Sequence, residues 1–126
     1  MKIIFINCKA EPFVDDILAH RKLYETRTRN MLGRFLGERI FIAETGHGKP
    51  VVRCSAKIAE VHAVFVPEAW ERYRKRACIR SGSQYDWKDD TKVKWLYRLT
   101  DVRPVKPFIP AEGRRHGRVW MELGEE

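Results

Sequence analysis

The chain has 126 residues, with 44% hydrophobic, 33% charged and 11% aromatic side chains. That is enough for one core and the composition of a folded chain, so general disorder and a two-domain layout are excluded. Its 25 Lys and Arg against 17 Asp and Glu give a net charge of +8. Both halves carry the excess: residues 1–63 hold 11 basic and 7 acidic side chains, and 64–126 hold 14 and 10. A folded basic surface suits a polyanion such as nucleic acid, and plain solubility is the competing explanation.

Residues 2–7, Lys-Ile-Ile-Phe-Ile-Asn, read as a buried strand. Pro12 opens a short amphipathic helix over 11–20, with Asp15 and Asp16 at the positive end of its dipole. Phe13 with Ile17, and Val14 with Leu18, are four apart and share its apolar face. Residues 39–45 form a strand, and Gly46–Pro50 a turn. Residues 51–58 alternate, with Val52, Cys54, Ala56 and Ile58 on one face and Arg53, Ser55 and Lys57 on the other. Residues 61–66 continue that strand after a bend at Glu60.

Pro67 starts a second helix over about 68–79. If it runs far enough, Arg72, Arg76 and Arg80 line up at four-residue spacing, as a phosphate track or a solvated face. Residues 81–90 are loop-like, and there Tyr85 and Trp87 either stack on bases or fold back into the core. Residues 93–103 form the longest strand, ended by a loop punctuated by Pro104, Pro107 and Pro110. The Gly113–Gly117 loop carries Arg114, Arg115 and His116, a phosphate clamp or simply a charged loop. A last strand covers 119–123. Five or six strands, following one another without helical crossovers, argue for an α+β, mostly antiparallel, barrel-like sheet with two or three helices on its rim.

Three cysteines without a CxxC spacing point to reduced thiols in a cytoplasmic protein. No apolar run reaches membrane length, and no histidine has a metal-ligand spacing, so no membrane, metal or cofactor is expected. No Walker loop, GxGxxG or GxSxG occurs.

Lys22-x-x-Glu25-x-Arg27 comes directly after the first helix. If that segment is extended, Glu25 and Arg27 share a face and line one cleft, with Lys22 reaching its mouth from the helix exit. Arg27 offers a bidentate fork for a phosphate, Lys22 a point charge, and Glu25 an acceptor for an exocyclic amine. The competing reading is an ion-pair cluster that ties helix to sheet.

The run Phe13 to Arg27 resembles the signature of the ASCH domain, a short helix followed by Gly-x-Lys-x-x-Glu-x-Arg, with His20 where the glycine is usual. The stretch from Tyr97 to Val105 is similar to the family's late strand, and Gly117-Arg118-Val119-Trp120 to its terminal one. The resemblance covers nearly the whole chain. It implies a single domain over 1–126, a PUA-like β-barrel that recognises RNA or a nucleotide through a basic cleft. It centres that cleft on Lys22, Glu25 and Arg27, and the pattern of the chain adds Arg72, Arg76, Tyr85, Arg114 and Arg115 as candidate binding residues. The alternative it implies is a hydrolase acting on RNA or on a modified nucleoside such as N4-acetylcytidine, with Lys22 and Glu25 catalytic. The amidohydrolase branch places a threonine at the position of Glu25, and Thr26 next door projects to the opposite face of an extended segment. Glu68 and Glu71 are the candidates for that branch's downstream glutamate.

Overall fold

A computed structural model describes residues 1–111, 114–116 and 119–124, with side chains outside 112–118. In chain order the elements are β1 (Lys2–Asn7), α1 (Phe13–Leu18), β2 (Tyr24–Arg27), a 3-10 turn (Gly33–Phe35), β3 (Arg39–Thr45) and β4 (Val51–Val64). Then come α2 (Pro67–Arg74), a second 3-10 turn (Lys75–Ala77), β5 (Lys94–Phe108), β6 (Arg114–His116) and β7 (Trp120–Glu122). They form one mixed α+β assembly built on a single sheet of order β2-β5-β4-β3-β1-β7-β6. Every pair is antiparallel except β1 with β3. That pair is parallel because α1 and β2 lie between the two strands, which is length enough for a crossover.

The sheet is not closed by a backbone ladder among the described residues; its strands run as an open series from β2 to β6. It is nevertheless curled. Tyr24 on edge strand β2 and Ile4 and Ile6 on β1 share one core with Ile42, Cys54, Ile58, Leu96, Phe13 and Trp70. Ile3 and Phe5 point the other way into a smaller cluster with Ala43, Val52 and Met121. β1 is therefore buried on both faces, which is why it reads as a continuous apolar run.

Four expectations change. The prolines do not end the long strand: Pro104 and Pro107 lie inside β5. β2 pairs with β5 only at residues 95–98, so the proline segment has one free edge, where a missing N–H costs no ladder bond. The second helix stops at Arg74, tightens into the 3-10 turn and ends at Cys78 with φ +57, so Arg80 lies off it. Arg114–His116 is a strand paired with β7, satisfying that strand's outer backbone groups. The bend expected at Glu60 is a register shift between Ile58 and Glu60 inside the continuous β4.

The exit of α1 fixes the path of the chain into β2. Ala19 N–H donates to Asp15 O, while the Arg21 and Lys22 amides both donate to Asp16 O, wrapping the chain around the helix end. His20 takes the left-handed conformation, φ +61, that a glycine adopts without strain. The exit is thus glycine-like in shape although a histidine fills it. No helix among the described residues is long and apolar enough to cross a membrane. Cys8, Cys54 and Cys78 are free, and burial pushes the Cys8 and Cys54 thiols up to about 11.

Candidate functional site

The sheet's open seam lies where β2 approaches β1. Two side chains there bond backbone groups of the two strands. The Thr26 amide donates to Glu25 Oε1 at 3.0 Å. Arg27 Nη2 crosses to β1 and donates to the Phe5 carbonyl at 2.9 Å. The same Nη2 lies 3.1 Å from Glu25 Oε2, so the carboxylate and guanidinium brace each other across the seam. Glu25 and Arg27 share a face because they are two apart in an extended strand held in register opposite Tyr97 and Trp95.

Lys22 enters from the helix exit and is almost wholly enclosed, 1% exposed, while Glu25 is 5% exposed. Lys22 Nζ donates to the Ala77 carbonyl at 2.7 Å, lies 3.6 Å from Glu25 Oε1 and sits 4.4 Å from the centre of the Phe13 ring. Burial pulls the lysine pKa below its ordinary value, and the nearby Glu25 carboxylate offsets this only in part. Tyr85 packs edge-on against Phe13 at 5.2 Å, and burial raises its phenol pKa.

These groups surround a pocket of about 100 Å³, lined also by Ile6, Asn7 and Ile79. That is well under the ~300 Å³ of a typical small-molecule site. Arg27 Nε is buried and has no hydrogen-bond partner among the described residues. Arg27 and Glu25 thus stand side by side in the pocket wall.

Lys22, Glu25, Arg27 and Tyr85 therefore converge as the sequence suggested, and Thr26 adds to the same wall. The remaining candidates do not join them. Arg72 and Arg76 are exposed on α2 and the 3-10 turn, and Arg80 pairs with Glu11. Glu71 pairs with Arg74 at 3.0 Å; neither it nor Glu68 lines the pocket. The side chains of Arg114 and Arg115 lie outside the described residues. Trp87 is half-buried against the core, and the Tyr97 hydroxyl turns away to the 29–32 turn, where it takes the Leu32 amide at 3.3 Å. Among the described residues no group of three or more His, Cys, Asp or Glu is placed to hold a metal.

Sequence reasoning missed two partners, the Ala77 carbonyl and the Phe13 ring. It also missed the buried pair Asp86 and Lys94 that fixes the Tyr85 loop. Asp86 takes donors from Trp70 Nε1 at 2.6 Å, Gly82 N at 2.7 Å and Trp87 N at 2.8 Å, and Lys94 Nζ donates to the Tyr85 carbonyl at 2.9 Å. A polar residue between two aromatics in a loop was the available signal for Asp86.

An α+β domain with a curled sheet and a charged pocket in its seam defines the class. No family model matches the chain, and no curated protein does. Solved structures do. ASCH from Zymomonas mobilis aligns with a TM-score of 0.70 and 25% identity over 84% of this chain and 71% of that one. A serine-to-alanine mutant of that organism's ZmASCH gives 0.70 and 24% over 85% and 72%. A tyrosine-to-phenylalanine mutant gives 0.70 and 25% over 85% and 73%. The chain shares the fold of these ASCH structures.

Proposed function

We propose that this is an RNA- or nucleotide-recognising domain whose seam pocket reads the edge of a base. One observation carries the reading: buried Lys22 and Glu25 and half-buried Arg27 line one cavity, while the Arg27 Nε donor stays unpartnered among the described residues. Buried polar groups are nearly always satisfied, so a charged donor left over beside a cavity is a ligand's place rather than a brace alone. Glu25 accepts from an exocyclic amine, and Arg27 and Lys22 donate to ring or carbonyl acceptors. Tyr85 supplies an aromatic wall. The sheet is read as a PUA-like barrel closed at this seam by side chains instead of a ladder. The chain is read as one domain working in the cytoplasm without a cofactor. Arg72, Arg76, Arg114 and Arg115 are left as outer contacts for the phosphate backbone.

A second reading is a hydrolase of a modified nucleoside or of RNA. What favours it is Lys22, whose burial lowers its pKa and makes a neutral, proton-accepting amine more accessible beside Glu25. Incubation with N4-acetylcytidine, related acylated nucleosides and mixed RNA, with Lys22→Ala as control, separates the readings. Salt-sensitive binding without product supports recognition; product that disappears in the variant establishes the enzyme. Equal RNA affinity of native and variant protein at low salt removes the pocket from both.

A further inference from the structure

A second concavity begins where the seam pocket ends. Arg27 lines the pocket, and the next two residues, Thr28 and Arg29, line a groove of about 470 Å³ completed by Asp90, Thr91, Lys92 and Val93. Seven of the twelve arginines with described side chains have an acidic partner: Arg21 with Asp16, Arg27 with Glu25, Arg39 and Arg103 sharing Asp101, Arg53 with Asp15, Arg74 with Glu71 and Arg80 with Glu11. Arg29 and Lys92 are exposed and have no acidic partner among the described residues.

The walls of this groove are fixed. The Tyr97 hydroxyl, anchored in the core, lies 3.3 Å from the Arg29 carbonyl and 3.0 Å from Asn30 Oδ1. On the other side Thr91 Oγ1 accepts the Lys88 amide at 2.8 Å, and the Thr91 amide donates to Lys88 O at 3.0 Å. The Thr91 hydroxyl proton therefore remains available to an outside acceptor. Two cations and two hydroxyls outweigh the one carboxylate of the lining, Asp90, and leave the groove with a net positive charge that suits phosphate oxygens.

We infer that the Thr28–Arg29/Thr91–Lys92 groove carries the phosphate backbone of a single RNA strand whose base enters the seam pocket, so that the ligand is a strand and not a free nucleoside. The inference rests on the reading of the seam pocket and adds its second subsite.

The test compares the full chain with an Arg29→Gln/Lys92→Gln variant. The probes are a fluorescent mixed-sequence ten-residue oligoribonucleotide and a mixture of nucleoside 5′-monophosphates, between 50 and 200 mM salt. Losing two phosphate contacts on a single strand makes the log–log salt slope shallower by about 1.4, so the native-to-variant affinity ratio for the strand falls about sevenfold across that range. Monophosphate binding is expected to stay unchanged. Arg29→Lys with Lys92→Arg keeps both charges and is expected to keep the slope. An unchanged slope and affinity in the Gln variant overturn the groove. So does equal competition by polyaspartate, which reduces it to a charge effect. A native protein that ignores monophosphates, yet whose strand binding falls in the Gln variant, refutes the seam pocket and leaves the groove as a separate backbone site.

Discussion

Two charged clusters are buried in this molecule, and they are built to different standards. Around Asp86 both oxygens are used: Trp70 and Trp87 donate to Oδ1 and Gly82 to Oδ2. Around Glu25 the accounting stays open. Thr26 and Arg27 serve its oxygens, Lys22 stands off at 3.6 Å, Arg27 Nε has no acceptor, and a cavity adjoins them all. A saturated buried charge fixes architecture, whereas an unsaturated one beside a cavity keeps capacity for a ligand. The seam cluster does both: Arg27 and Glu25 close the sheet's edge and still present unused groups.

The comparison breaks first at Asp86. Asp86→Ala strands three buried or half-buried donors and is expected to cost about 3–5 kcal/mol, seen as a large loss of denaturation midpoint. Burial pushes this carboxyl's pKa up, but the donors from Gly82, Trp70 and Trp87, with Arg74 nearby, outweigh it and hold the pKa below the ordinary 3.8. The stabilisation is therefore present above that value and lost as pH falls through the lowered one, so urea melts of native protein and variant should converge in strong acid. A variant as stable as native at pH 7 would make the saturated cluster ornamental.

Lys22→Met is expected to behave differently. It keeps the side-chain volume but leaves the buried Ala77 carbonyl without its donor, so it should cost about 1–3 kcal/mol, less than Asp86→Ala. Nucleotide affinity should drop by about tenfold or more, since a charge-assisted contact contributes about 1.5–3 kcal/mol. The folded lysine pKa lies below the unfolded 10.5, so in that window the unfolded chain holds more protons. Native stability therefore rises with pH through this group, and the difference between native and Lys22→Met melts isolates the rise from the opposing thiols of Cys8 and Cys54. A variant that unfolds while nucleotide affinity is untouched makes Lys22 part of the scaffold.

The local parts of both clusters were legible in the sequence, and the long-range parts were not. Phe13, Val14 and Ile17 announced their helix by spacing, and two-residue spacing put Glu25 and Arg27 on one wall. The unreadable contacts were non-local. Ala77 is 55 residues from Lys22 and offers only a carbonyl; Phe5 is 22 residues from Arg27 and offers the same. A backbone group carries no residue type, so no pattern flags it. Pro104 and Pro107 misled because proline's exclusion from strands holds only where a ladder needs its N–H, and edge status is a tertiary fact.

Smaller effects sharpen the frame around the seam. His20→Gly removes an L-residue from φ +61 and should stabilise the chain by roughly 0.5–1 kcal/mol, the relief of left-handed strain less glycine's entropy. A rise of a few degrees in Tm with nucleotide binding intact supports a helix exit of glycine shape. A fall would mean that the histidine ring holds the exit itself. Least of all is expected from Arg72→Ala with Arg76→Ala: both side chains are exposed, so stability should stay within about 0.5 kcal/mol in urea melts.

The central claim is tested most directly by the Arg27 Nε–H itself. In a proton–nitrogen NMR titration of the native protein with mixed nucleoside monophosphates, that buried resonance should move downfield and saturate as it gains an acceptor. The amides of Lys22, Thr26 and Tyr85 should move in step. A titration in which those signals stay still, or in which shifts gather only on the arginines of α2, would contradict the seam pocket as the binding site.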